Sequence, residues 1–120
     1  MNDKPVLDQA SLDRLREWGG DKLVSQMVKL YIENTHARLA QIDEGLADGG
    51  ELRDAEMAAH SLKSSAANVG AARVSKLAAD AEDAAERQED ARVRELRDEL
   101  AAAISEAEEL IHTYIKETLN

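Results

Sequence analysis

Punctuation is scarce in this chain: its 120 residues hold a single proline, Pro5, and six glycines. Strands and the tight turns that join them draw on such residues, so long stretches without them favour continuous helix. Alanine, the strongest helix former, supplies 21 of the apolar residues, whereas phenylalanine is absent and aromatics make up 2%. The core must therefore be built from Leu, Val, Ile and Ala, and an all-α fold is expected. At this length the chain is expected to be one domain over residues 1–120, with no room for a second catalytic unit.

Helix signals then divide the chain. Leu7 to Trp18 reads as a short amphipathic segment with Asp8 as its cap, Leu12 and Leu15 as its stripe and Gly19-Gly20 as its end. Asp21 can cap a long helix from Lys22 to about Ala47, carrying Leu23, Met27, Leu30, Tyr31, Leu39, Ile42 and Leu46 at helical spacing, with a kink expected near Asn34-Thr35. Gly49-Gly50 makes the next turn. A third helix spans Glu51 to about Val69 and stops at Gly70, a fourth runs from about Arg73 to Arg87, and the last from about Asp90 to Lys116. Long helices joined by short turns pack antiparallel, which predicts an up-down-up-down four-helix bundle with a short additional N-terminal helix packed on it.

Charge and composition exclude several functions. A formal net charge of −10 disfavours nucleic acid and anionic lipid as partners. The charge is uneven: residues 77–109 hold 12 acidic and 4 basic side chains, while residues 51–76 hold 4 basic and 3 acidic. Without cysteine there is no disulfide, thiolate nucleophile or Cys-ligated zinc. No apolar run approaches a membrane span, and MNDKPVLDQ lacks a signal-peptide apolar region, so a cytoplasmic protein is expected.

The third helix carries the chemistry. At about 100° per residue, Leu52, Ala55, Ala59, Leu62, Ala66 and Val69 share one side, the expected buried stripe. Arg53, Glu56, His60, Lys63, Ser64 and Ala67 share the opposite side, with Met57 at its edge. His60 is thus displayed to solvent. A neutral imidazole offers a ring-nitrogen lone pair to an electrophile, and Lys63 at i+3 can place a cation beside a transferred phosphoryl group. Short side chains at Ser64 and Ala67 let another protein approach closely, while Arg53, Glu56 and Met57 complete a candidate docking face.

The run His60-Ser61-Leu62-Lys63-Ser64-Ser65-Ala66-Ala67-Asn68-Val69-Gly70-Ala71 resembles the signature of histidine phosphotransfer (HPt) domains, H-x-L-K-G-S-S-x-x-L-G-A with variation. The likeness extends to Leu7-Asp8 with Leu12 and Leu15, to Gly19-Gly20-Asp21, to Leu30 through Thr35 and to the glycine before the third helix. What the resemblance implies is a bundle whose exposed histidine, usually at Nε2, takes a phosphoryl group from a receiver domain's aspartyl phosphate and passes it to a second receiver. By that match His60 is the phosphoacceptor, Lys63 the lysine beside it, Gly70 the helix-ending glycine, and Leu62 and Val69 buried apolar positions. The receiver would contribute the Mg²⁺ and acidic pocket. Ser64 departs from the family's usual Gly, and His36 stands where many members have Pro, so the long helix is expected to bend less sharply.

Rival readings are weaker. No Gly-rich phosphate loop or kinase motif set occurs, so a phosphoryl carrier without ATP-dependent kinase activity or cofactor is expected. Glu33/His36 and Glu109/His112 have the Glu-x-x-His spacing of di-iron bundles, but both pairs fall on outward helix faces, so no metal site is expected. The dimerising domain of sensor kinases normally has an acidic residue directly after its histidine and a proline soon after, whereas here Ser61 follows His60 and no proline follows Pro5. The alternative is a helical adaptor that docks receivers or other partners without accepting phosphate. The sequence weighs against it only by retaining both His60 and Lys63, and a monomeric receiver-binding carrier is the expectation.

Overall fold

A computed structural model describes residues 4–119. Four helices follow one another: α1 Gln9–Leu46, α2 Leu52–Asn68, α3 Ala72–Glu86 and α4 Asp90–Thr118. No strand occurs among the described residues. α1 packs against α2 and α4, α2 against α3, and α3 against α4, so the helices enclose a shared core.

α1 joins the two segments expected as separate helices. Asp8 caps it by accepting from Ala10 N at 3.2 Å, so the helix begins at Gln9 and not at Leu7. Gly20 alone breaks the helical torsions within α1, at φ 72° and ψ −168°, a conformation that favours glycine. Across this break Arg16 Nε donates to Asp21 at 2.8 Å. The kink expected at Asn34-Thr35 is absent: with His36 in place of proline, every backbone donor is kept and the torsions stay helical.

The buried face of α1 also differs from the expected stripe. Val24, Val28, Tyr31, Thr35, Ile42 and Leu46 turn inward, whereas Leu30 is 60% exposed and Leu23, Met27 and Leu39 lie at the core's margin. Leu30 is one residue, about 100° of rotation, from Tyr31, and lies on the side turned away from the core. In α2, Ala55, Ala59, Leu62, Ala66 and the following Val69 are buried as expected; Leu52 is only partly buried and Ala58 joins the interior.

The turn between α2 and α3 is held from outside. Gly70 adopts φ 81°, its carbonyl accepts from Asp8 N at 2.7 Å, and Arg73 N donates to Pro5 O at 3.0 Å. The segment before α1 therefore crosses this turn as a strap, with Val6 and Leu7 packed against the core. Tyr114 Oη donates to Asp13 at 2.7 Å, tying the end of α4 to the first arm of α1. Burial, then this bond to a carboxylate, pushes the Tyr114 hydroxyl up to about 12.

Candidate functional site

His60 stands on α2 between the buried Ala59 and the half-buried Ser61, with 64% of its side chain exposed. Its Nδ1 lies 2.7 Å from Glu82 Oε2 on α3, and Lys63 Nζ donates to Glu82 Oε1 at 2.9 Å. One carboxylate thus engages both candidate side chains. Partial burial pushes the Glu82 carboxyl up, but hydrogen bonds from Lys63 and His60 and their charges outweigh it and hold its pKa below the usual carboxylate value. An ionised carboxylate only accepts, so Nδ1 must carry the proton in this contact. In the neutral ring, Nε2 then keeps the lone pair.

The register between α2 and α3 makes this contact possible. Ser75 Oγ on α3 donates to the Lys63 carbonyl at 2.9 Å, fixing the two helices one turn from the imidazole. Buried positions on both include many alanines, Ala59 and Ala66 on α2 and Ala78, Ala81, Ala84 and Ala85 on α3, while Ala55 and Ala58 of α2 lie toward α1. Small side chains allow close helix approach, and a glutamate on one helix can then reach an imidazole on the other.

Arg53, Met57, Ser64 and Ala67 are exposed on the helix that displays His60, and Glu56 is half-buried there. Met57 is 60% exposed. Beside it Arg38 of α1 donates to Ser61 Oγ at 3.1 Å and to Gln41 Oε1 at 2.8 Å, lining a groove that runs along α1 and α2. The other histidines are placed differently. Glu33, His36, Glu109 and His112 are all exposed, and His36 Nε2 meets Glu108 of α4. Among the described residues no three His, Asp or Glu side chains converge as metal ligands would.

Glu82 is the site residue that sequence reasoning missed. The run Ala79 to Asp83 reads as a solvated helix face, and Glu82 lies on a different helix from His60. A signal did exist: in two antiparallel helices, residues at similar distances from the turn meet, and His60 precedes Gly70 by 10 residues while Glu82 follows it by 12. No single-helix pattern contains that relation.

The Hpt domain family model matches residues 26–110. Among solved structures, the histidine-containing phosphotransfer protein B (HptB) from Pseudomonas aeruginosa PAO1 superposes with a TM-score of 0.86 and 22% identity, over 94% of this chain and 96% of that one. At that identity the likeness speaks to the fold. Comparison with curated proteins finds no match. No helix among the described residues is long and apolar enough to cross a membrane.

Proposed function

The chain belongs to the Hpt domain family of phosphorelay phosphocarriers, and from that premise we propose that His60 takes a phosphoryl group from the aspartyl phosphate of one receiver domain and passes it to another. The observation that carries this reading is the pairing of His60 Nδ1 with Glu82, because it leaves Nε2 as the open, nucleophilic nitrogen of an exposed ring.

Transfer proceeds by attack of the Nε2 lone pair on phosphorus. The N–P bond forms, the bond from phosphorus to the receiver's aspartate oxygen breaks, and its electron pair returns to that carboxylate. Positive charge develops on the ring as Nε2 is phosphorylated, and the Glu82 carboxylate at Nδ1–H offsets it. Lys63, held on the other Glu82 oxygen, supplies a cation close enough to turn toward the phosphoryl oxygens. The same steps in reverse deliver the group to the next receiver.

Other expectations follow the same reading. Arg53, Glu56, Met57, Ser64 and Ala67 form the face across which receivers approach, and the ring of helices is an up-down-up-down bundle whose first arm, before Gly20, is the short N-terminal helix. The chain acts in the cytoplasm as a monomeric carrier for receivers, not for nucleic acid, and takes no phosphoryl group directly from ATP. His36 and His112 lack the platform of small residues with an adjacent lysine.

Incubation with a phosphorylated receiver tests the assignment. The protein is expected to acquire an acid-labile, base-stable phosphate, and His60→Gln to abolish it. Labelling that persists in that variant would transfer the role to another residue.

A further inference from the structure

We propose that a cleft beside the phosphotransfer site, ringed by Lys4, Lys63 and Lys76, receives an acidic segment of the receiver that delivers the phosphoryl group; this rests on the receiver reading above. The three lysines come from three elements: the N-terminal strap, α2 and α3. They meet only in the folded chain, on a protein whose net charge is −10. Between them the floor is small, including Ala67, Gly70 and Ser75, so an incoming side chain meets little obstruction. Asp8 also borders the cleft, and its carboxylate accepts from Ala10 N to cap α1.

The strap forms one rim of the cleft. Asp8 N donates to Gly70 O at 2.7 Å, Arg73 N to Pro5 O at 3.0 Å and Arg73 Nε to Lys4 O at 3.1 Å, which places the Lys4 backbone at the rim. Gly70 permits this: a Cβ there would run into the Asp8 carbonyl oxygen and come within 2.8 Å of Ser11 Cβ. The strap that carries Lys4 lies outside residues 26–110, the stretch that the family model matches.

Position and charge identify the occupant. Lys63 and Ala67 share α2's outer face with His60, so a receiver seated over the imidazole overlies the mouth of the cleft. All three lysines already have partners, Lys63 and Lys76 holding Glu82 and Asp80 at 2.9 Å each, and these two are partly exposed pairs of the kind that contribute little. An incoming carboxylate can join or replace them. Charges at the edge of a contact act chiefly on encounter and on salt dependence.

The test compares transfer from one phosphorylated receiver to the parent, to Lys4→Glu combined with Lys76→Gln, and to Lys116→Glu, an exposed change in the last turn of α4. In the double variant the apparent KM for the receiver is expected to rise about tenfold at low ionic strength, with the maximal transfer rate maintained and the difference shrinking as salt is added. Lys116→Glu is expected to keep the parent KM. Circular dichroism melting checks the fold, and Lys76→Gln alone repeats the comparison with the strap untouched. An unchanged KM in the double variant, or an equal rise in Lys116→Glu, overturns the cleft while leaving the receiver reading standing. A parent that takes label from phosphoramidate, a small donor needing no docking, but from no receiver overturns both.

Discussion

A carboxylate that accepts from both His60 Nδ1 and Lys63 Nζ orients the imidazole proposed as the nucleophile and holds the lysine beside it. The lowered pKa of Glu82 gives this arrangement a pH signature. A carboxyl whose folded pKa lies below its unfolded value, about 4.3 for Glu, adds stability that is fully present above the unfolded value and lost as pH falls through the folded one. Urea denaturation from pH 5 down to about pH 2 is therefore expected to show a shallower loss for Glu82→Gln than for the parent; parallel curves would remove the ionised pair. Ser64, exposed one turn beyond His60, tests approach instead of charge. Ser64→Gly is expected to transfer at the parent rate, and Ser64→Trp to fall at least about a hundredfold without unfolding, because a misplacement of about 1 Å is costly when catalysis depends on positioning. A tryptophan variant that accepts phosphate at the parent rate would place the receiver elsewhere. That the candidate residues His60, Lys63 and Ser64 lie together was legible because they share one helix and one face; their contact with Glu82 was not, since it depends on packing between helices.

Helix ends were readable wherever glycine or a capping aspartate marks them, and this is why Asp8, Gly49-Gly50 and Gly70 bound the elements as expected. The interior of α1 was less readable. Tyr31, Ile42 and Leu46 are buried as the stripe expects, but Val24 and Val28 took inward positions it left out; the break at Gly20 lies where the glycine pair marks it, and the further kink near residue 35 is absent. Two glycines separate torsion from crowding. Gly49 adopts φ 84° with nothing within 4 Å of the point a Cβ would occupy, whereas Gly70 at φ 81° would drive a Cβ into the strap. Gly49→Ala is expected to cost about 1 kcal/mol from torsion alone. Gly70→Ala should cost about 1–3 kcal/mol more, as steric crowding adds to the strain. Equal unfolding free energies for the two variants in urea would mean that the strap yields without cost.

Across the whole molecule, the expectation of an all-helical domain followed from sparse punctuation and alanine content, and those same alanines set how near α2 and α3 can lie. The consequence is that the chemistry depends on volume at positions that carry no chemistry. Ala59 is fully buried, next to His60 in sequence and out of reach of any partner. Ala59→Leu would overpack the seam at a cost of about 1–3 kcal/mol and spread the helices, so the imidazole loses its carboxylate while every polar side chain remains. Nitrogen chemical shifts of the His60 ring should then report a mixture of tautomers where the parent reports one, and transfer should fall in step. A random-mutagenesis screen for lost transfer is accordingly expected to return enlargements at buried alanines alongside changes on the charged face. Recovery of the charged face alone would mean that the seam relaxes around added volume.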